Sequence, residues 1–108
     1  MAGWQTPGMT SYQFTPQAID DLFEIWSYIA QDNPDAANAV EEAIYRSCSL
    51  LAQQPLAGRV RTDLTHLPVR FWFLPPYSNY VIVYDPVAKP LQIIRVLHGA
   101  RNLPRLLP

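Results

Sequence analysis

Two stretches, "FTPQAIDDLFEIW" (14–26) and "DNPDAANAV" (32–40), limit what this chain can become more than any other feature. In each, a short polar residue stands directly before a proline: Thr15-Pro16 and Asn33-Pro34. A hydroxyl or amide oxygen there can take a free N–H of a starting helix, and the proline loses nothing at the first helical position. Apolar residues follow at helical spacing both times: Ala18, Leu22, Ile25, Trp26 and Ile29, then Ala37, Val40, Ile44, Cys48 and Leu51. Asp20 and Asp21 fall in the early turns of the first helix and Asp35 in the first turn of the second, where the helix dipole favours negative charge. Pro55 and Gly58 mark the second helix's end. Two one-sided helices joined by a few residues predict an antiparallel helical hairpin over a shared apolar surface.

The remainder reads as β. "SYQF" (11–14) is a short strand before the hairpin, "GRVRTDL" (58–64) could begin another, and "VRFWFL" (69–74) is a stronger one stopped by Pro75-Pro76. "NYVIVYD" (79–85) and "LQIIRVLH" (91–98) complete the set, with Pro86 and Pro90 framing the turn between them. This predicts an α+β domain: an N-terminal strand, then a helical hairpin packed on one face of an antiparallel β-meander. Residues 1–10, with two glycines and a proline, read as a flexible arm, and 11–108 as one domain. Strict alternation puts Ile93, Arg95 and Leu97 on one face of the last strand and Ile94, Val96 and His98 on the other. The strands are apolar on both faces, yet two helices cover only one, so the second face is expected to meet another chain.

Composition bounds the chemistry. At 108 residues, 49% hydrophobic and 16% charged, the chain suits one globular core. Its net charge of −1, with 8 Lys and Arg against 9 Asp and Glu, argues against a surface built to neutralise phosphates, so no direct sequence-specific nucleic-acid binding is expected. The start "MAGWQTPGMTS" lacks the basic and apolar regions of a signal peptide, and no apolar run approaches the ~20 residues of a membrane span. A cytoplasmic location without membrane attachment is the expectation. Cys48, His66 and His98 have no paired ligand spacing, and the four glycines stand singly at 3, 8, 58 and 99, so neither metal nor cofactor is expected. Cys48 sits on an apolar helix face, and Asp20-Asp21 and Glu41-Glu42 read as solvated helix surface.

Arginines and one histidine remain. Arg59, Arg61, Arg70, Arg95, Arg101 and Arg105 crowd the second half, and "RVLHGARN" (95–102) ends the last strand. Metal-free phosphodiester cleavage could use such groups, with Arg59 or Arg61 on the phosphate and His98 moving the proton. Against this stand the thin basic charge and the lack of any aromatic residue beyond Tyr84 in the chain. The other reading makes Arg95 and Arg101 ion-pair or partner contacts and His98 a strand-end residue.

"YQFTPQAIDDLFEIWSYIAQDNPDAA", "PLAGRVRTDL", "YVIVYDP" and "IIRVLHGARN" resemble the ParE branch of the RelE/ParE toxin superfamily of bacterial toxin–antitoxin modules. The resemblance runs from about residue 11 to 102. It implies the same strand–hairpin–meander fold and a cognate ParD-like antitoxin that wraps the toxin in a hetero-oligomer. It also implies poisoning of DNA gyrase, the mode of ParE-like members. Arg95, His98, Gly99, Ala100 and Arg101 match the family's ending, and Asp21, Trp26 and Tyr28 match its first helix, where structural roles are expected. RelE-type members, which cleave mRNA on the ribosome, keep a tyrosine or a histidine–tyrosine pair where "HG" stands here. A non-enzymatic gyrase toxin is thus the first expectation, with Arg59, Arg61, Arg70, Arg95, His98 and Arg101 as target or antitoxin contacts. A ribosome-dependent endoribonuclease using His98, Arg61 and Arg59, and a decayed toxin that only binds antitoxin, are the alternatives.

Overall fold

The computed structural model describes residues 11–99. The assigned arm at 1–10 and residues 100–108 lie outside them. Six elements follow in the order β1 (Tyr12–Phe14), α1 (Pro16–Ala30), α2 (Pro34–Gln53), β2 (Arg70–Phe73), β3 (Tyr80–Asp85) and β4 (Leu91–His98). The sheet order is β1-β4-β3-β2. β1 runs parallel to β4, and the other neighbours are antiparallel. The parallel pairing follows from the hairpin: two antiparallel helices return the chain, and β1 docks beside the last strand of the meander.

Both expected caps are present. The Thr15 hydroxyl accepts the Ala18 N–H at 3.1 Å and donates to the Ile94 carbonyl at 2.8 Å. Asn33 Oδ1 accepts the Ala36 N–H at 3.1 Å. The first turn of α1 holds no acid, whereas Asp35 does occupy that of α2. Asp20 and Asp21 lie too far along α1 to serve its terminus, and Asp21 has another use, described below.

Three expectations are corrected. Residues 58–64 form no strand: Arg59 makes a single bridge to Phe71, after which the Arg61 carbonyl takes the N–H groups of Leu64 and Thr65 in a turn. Alternation along β4 also fails. Val83 stands opposite Arg95 but Tyr84 opposite Ile93, so Ile94 is an extra residue in a bulge, its carbonyl held by Thr15. Ile93 and Val96 therefore share the helix-facing side, while Ile94 packs with the opposite cluster. Finally, the second sheet face is not left for another chain: Val69, Phe71, Val81, Val83 and Leu97 form a buried cluster against Leu64 and Ile94. The segment between α2 and β2 supplies Leu64 and Val69, so a second small core closes within the chain.

The main core lies between hairpin and sheet, where Ala18, Leu22, Val40, Ile44, Cys48 and Leu51 meet Ile82, Tyr84, Leu91, Ile93 and Val96. Tyr84 also locks the exit from α2. Its hydroxyl donates to the Pro55 carbonyl at 2.6 Å and accepts the Gly58 N–H at 2.9 Å. A Cβ at Gly58 would stand 2.6 Å from that hydroxyl oxygen, so this close approach requires glycine.

Candidate functional site

The polar groups at the end of β4 are organised from α1. Arg95 makes a two-pronged ion pair with Asp21: Nε to Oδ2 at 2.8 Å and Nη2 to Oδ1 at 2.9 Å. Asp21 Oδ2 also accepts the Val96 N–H at 3.0 Å. The arginine and aspartate side chains are only 15% and 10% exposed. The bond to Asp21 pushes the Arg95 guanidinium further above its ordinary range, and the charge of Glu24 adds to this. Asp21 is therefore not solvated helix surface. It anchors α1 to the bulged strand, and Arg95 reaches it because Ile94 shifts the register. A guanidinium so matched by a carboxylate has little left to offer a phosphate.

His98, half-buried, closes β4 directly opposite Tyr80. Their rings meet edge to face, with centroids 5.6 Å apart. His98 Nδ1 is buried without a hydrogen-bond partner. Burial pushes the Tyr80 phenol up, and the nearby Tyr28 phenol pushes it further. Tyr28, on α1, is 73% exposed. The aromatic companion missing after His98 in the sequence thus arrives from β3. The antiparallel pairing of β3 with β4 brings Tyr80 there, a relation that spacing along the chain does not carry.

The other arginines stand apart from this cluster. Arg61 is held by Asp63 in a two-pronged surface pair at 2.9 and 2.7 Å, which pushes the guanidinium up and the carboxyl down. Arg70 donates to the carbonyls of Gly58 at 2.8 Å and Leu56 at 3.4 Å, and so braces the loop after α2. Arg59 is exposed and lines a cavity of about 340 Å³ with Ala57, Phe71, Trp72 and Phe73. His98 is not among the residues of that cavity. The arrangement brings Arg95 close to α1 and His98 close to Tyr80, and among the described residues no arginine bonds the histidine. Arg101 and Ala100 lie outside the described residues.

Elsewhere, Cys48 is fully buried, and burial alone pushes its thiol far up, leaving it an inert core group. Among the described residues no three His, Cys, Asp or Glu side chains cluster as metal ligands, and no helix is long and apolar enough to cross a membrane.

A helical hairpin braced onto a bulged mixed sheet, with the arginine of its last strand neutralised from within, defines a small α+β protein. The comparisons agree with this architecture. The model of the ParE toxin of type II toxin–antitoxin system, parDE, matches residues 12–103. A candidate toxin of Sinorhizobium fredii, Y4kP, is 30% identical over 95 residues, covering 88% of this chain and 94% of that protein. Among solved structures, a chain of the chromosomal ParDE toxin–antitoxin system from P. aeruginosa superposes with a TM-score of 0.65 at 25% identity, covering 83% of this chain and 96% of that one. The chain belongs to the ParE toxin family of type II toxin–antitoxin systems.

Proposed function

We propose that this toxin acts by binding, not by catalysis: it traps DNA gyrase in the cytoplasm and is neutralised by a cognate antitoxin in a tight hetero-oligomer. The observation that carries this reading is the Asp21–Arg95 pair. The arginine of the last strand is spent on an internal ion pair with a bond of 2.8 Å, and among the described residues His98 has no ion pair and no hydrogen bond to an arginine. Metal-free phosphodiester cleavage needs cations on the scissile phosphate together with a proton-transfer group. The family membership and the fold match to a ParDE chain support the antitoxin partner. Purified gyrase decides the target. The expected result is loss of supercoiling and accumulation of cleaved DNA at micromolar toxin; full supercoiling in the presence of folded toxin refutes the reading.

The edge-to-face contact of His98 with Tyr80 favours one second reading, a ribosome-dependent endoribonuclease in which the phenol and imidazole share proton transfer. Primer extension after induction separates the two. Discrete mRNA cleavage abolished by both His98→Ala and Tyr80→Phe supports the nuclease. Growth arrest on expression without antitoxin excludes a toxin that has lost its activity.

A further inference from the structure

Helix α1 carries acids and no base. Its 15 residues include Asp20, Asp21 and Glu24 but no Lys, Arg or His. Asp21 is spent on Arg95. Asp20 and Glu24 are exposed and form no ion pair among the described residues. Together with Tyr28 they recur every four residues, so the three side chains share one stripe of the helix. Arg95 feels the charge of Glu24, yet Asp21 already matches that arginine, and the Asp21–Glu24–Arg95 group keeps a net negative charge.

The acidic stripe ends on aromatic rings. Tyr28 is 73% exposed, so core packing does not account for it. Its phenol stands near enough to that of Tyr80 to push the latter up. Tyr80 is half-buried and meets His98 edge to face at 5.6 Å. Three elements, α1, β3 and β4, thus set two tyrosines and a histidine at the end of a row of unmatched carboxylates. Lys89, the lone lysine, lies in the turn at the far end of β3 and cannot serve that row.

We infer that this face of α1 binds an extended, arginine-bearing segment of the protein on which the toxin acts. One guanidinium pairs with Asp20 and Glu24, and the next lies over the Tyr28 ring beside Tyr80. Arginine fits both places, because its planar donors pair with carboxylates and its flat face stacks on aromatic rings. The spacing agrees. Asp20 and Glu24 are separated by roughly 6 Å along the helix axis, and alternate side chains of an extended segment by roughly 7 Å. An Arg-x-Arg segment therefore keeps step with the stripe. Unmatched carboxylates repel phosphates, which makes the partner a protein and not a nucleic acid. Only the identity of that protein as the toxin's target rests on the binding reading above.

The probe is an acetylated, amidated Gly-Arg-Gly-Arg-Gly peptide, titrated into the purified full-length protein and followed by its amide and ring signals. Saturable shifts are expected at Asp20, Glu24, Tyr28 and Tyr80. A lysine version of the peptide should bind about threefold more weakly, and a glutamate version not at all. Glu24→Lys and Tyr28→Ala, both at exposed side chains, should each weaken binding about tenfold with an unchanged melting temperature, whereas Tyr28→Phe, which keeps the ring, should bind as the parent does. Equal shifts with the arginine and glutamate peptides, no saturation at millimolar peptide, or undiminished binding by Tyr28→Ala each overturns the inference. The competing occupant is the chain's own Arg101 and Arg105, outside the described residues. If replacing both by alanine, without peptide, moves the Glu24 and Tyr28 signals as far as the peptide does, the face is filled from within and the inference falls. Supercoiling assays separate it from the function proposed above. Full gyrase poisoning by Tyr28→Ala overturns the arginine face as a target contact and leaves the toxin reading standing; arginine-peptide binding by a protein that never poisons gyrase supports the face and refutes the gyrase target.

Discussion

Removing Arg95 tests most directly how this toxin is built. The Asp21 carboxylate is 10% exposed and keeps accepting the Val96 N–H after Arg95→Ala, so its charge stays desolvated with its strongest partner gone. Breaking a buried ion pair from one side costs about 3–5 kcal/mol. Glu24, whose charge also acts on Arg95, gains nothing from the loss and adds like charge near Asp21. The lower figure, about 3 kcal/mol, is the safer expectation because the 15% exposure of Arg95 leaves some of the pair within reach of solvent. For a domain of this size that lowers the melting temperature by roughly 12–20 °C. Urea unfolding of the single variants, Arg95→Ala and Asp21→Asn, and of the double variant combining them should show coupling of about 1–3 kcal/mol, the double variant losing less than the sum. A loss of about 0.5 kcal/mol or less for Arg95→Ala, the value of an exposed pair, would refute the internal anchor. The double variant should still poison gyrase wherever it is folded. Failure there, with a native melting curve, would make Arg95 a contact residue after all.

Two further expectations follow from the core. Tyr84→Phe leaves the Gly58 N–H and the Pro55 carbonyl without their buried partner and should cost about 1–3 kcal/mol, read as a lower urea midpoint at constant m-value. Burial raises the folded pKa of the Cys48 thiol above its unfolded value of about 8.5, so its contribution is complete below that pH and is lost above it, at up to about 1.4 kcal/mol per pH unit; Cys48→Ala should flatten the alkaline fall, and an unchanged slope counts against a neutral buried thiol.

Much of the architecture was legible because its signals are local. Thr15-Pro16 and Asn33-Pro34 carry their capping chemistry within four residues, and the apolar stripes of both helices need only the helical period. The residues fated for the sheet were equally plain. The antiparallel meander was also expected and is present; what differed was the register of β4 and the fate of residues 58–64. Ile94 became a bulge because α1 offers Thr15 to its carbonyl and Asp21 to the backbone beyond it. Residues 58–64 lost their strand because the Arg61 carbonyl closes a turn, and the resulting loop, not a second chain, buries Phe71, Val81 and Val83.

The sequence by itself therefore determined the element order, the two caps, the inert Cys48 and the resemblance to ParE toxins, since each rests on neighbouring residues or a periodic pattern. Only the tertiary structure decided the chemistry at the end of β4. It joined Asp21 to Arg95 from elements far apart in the chain, set Tyr80 across from His98, and, among the described residues, left Arg59 and Arg70 as the arginines without an acid. An arginine's availability depends on which carboxylate reaches it through folded space. Spacing along the chain says nothing of that.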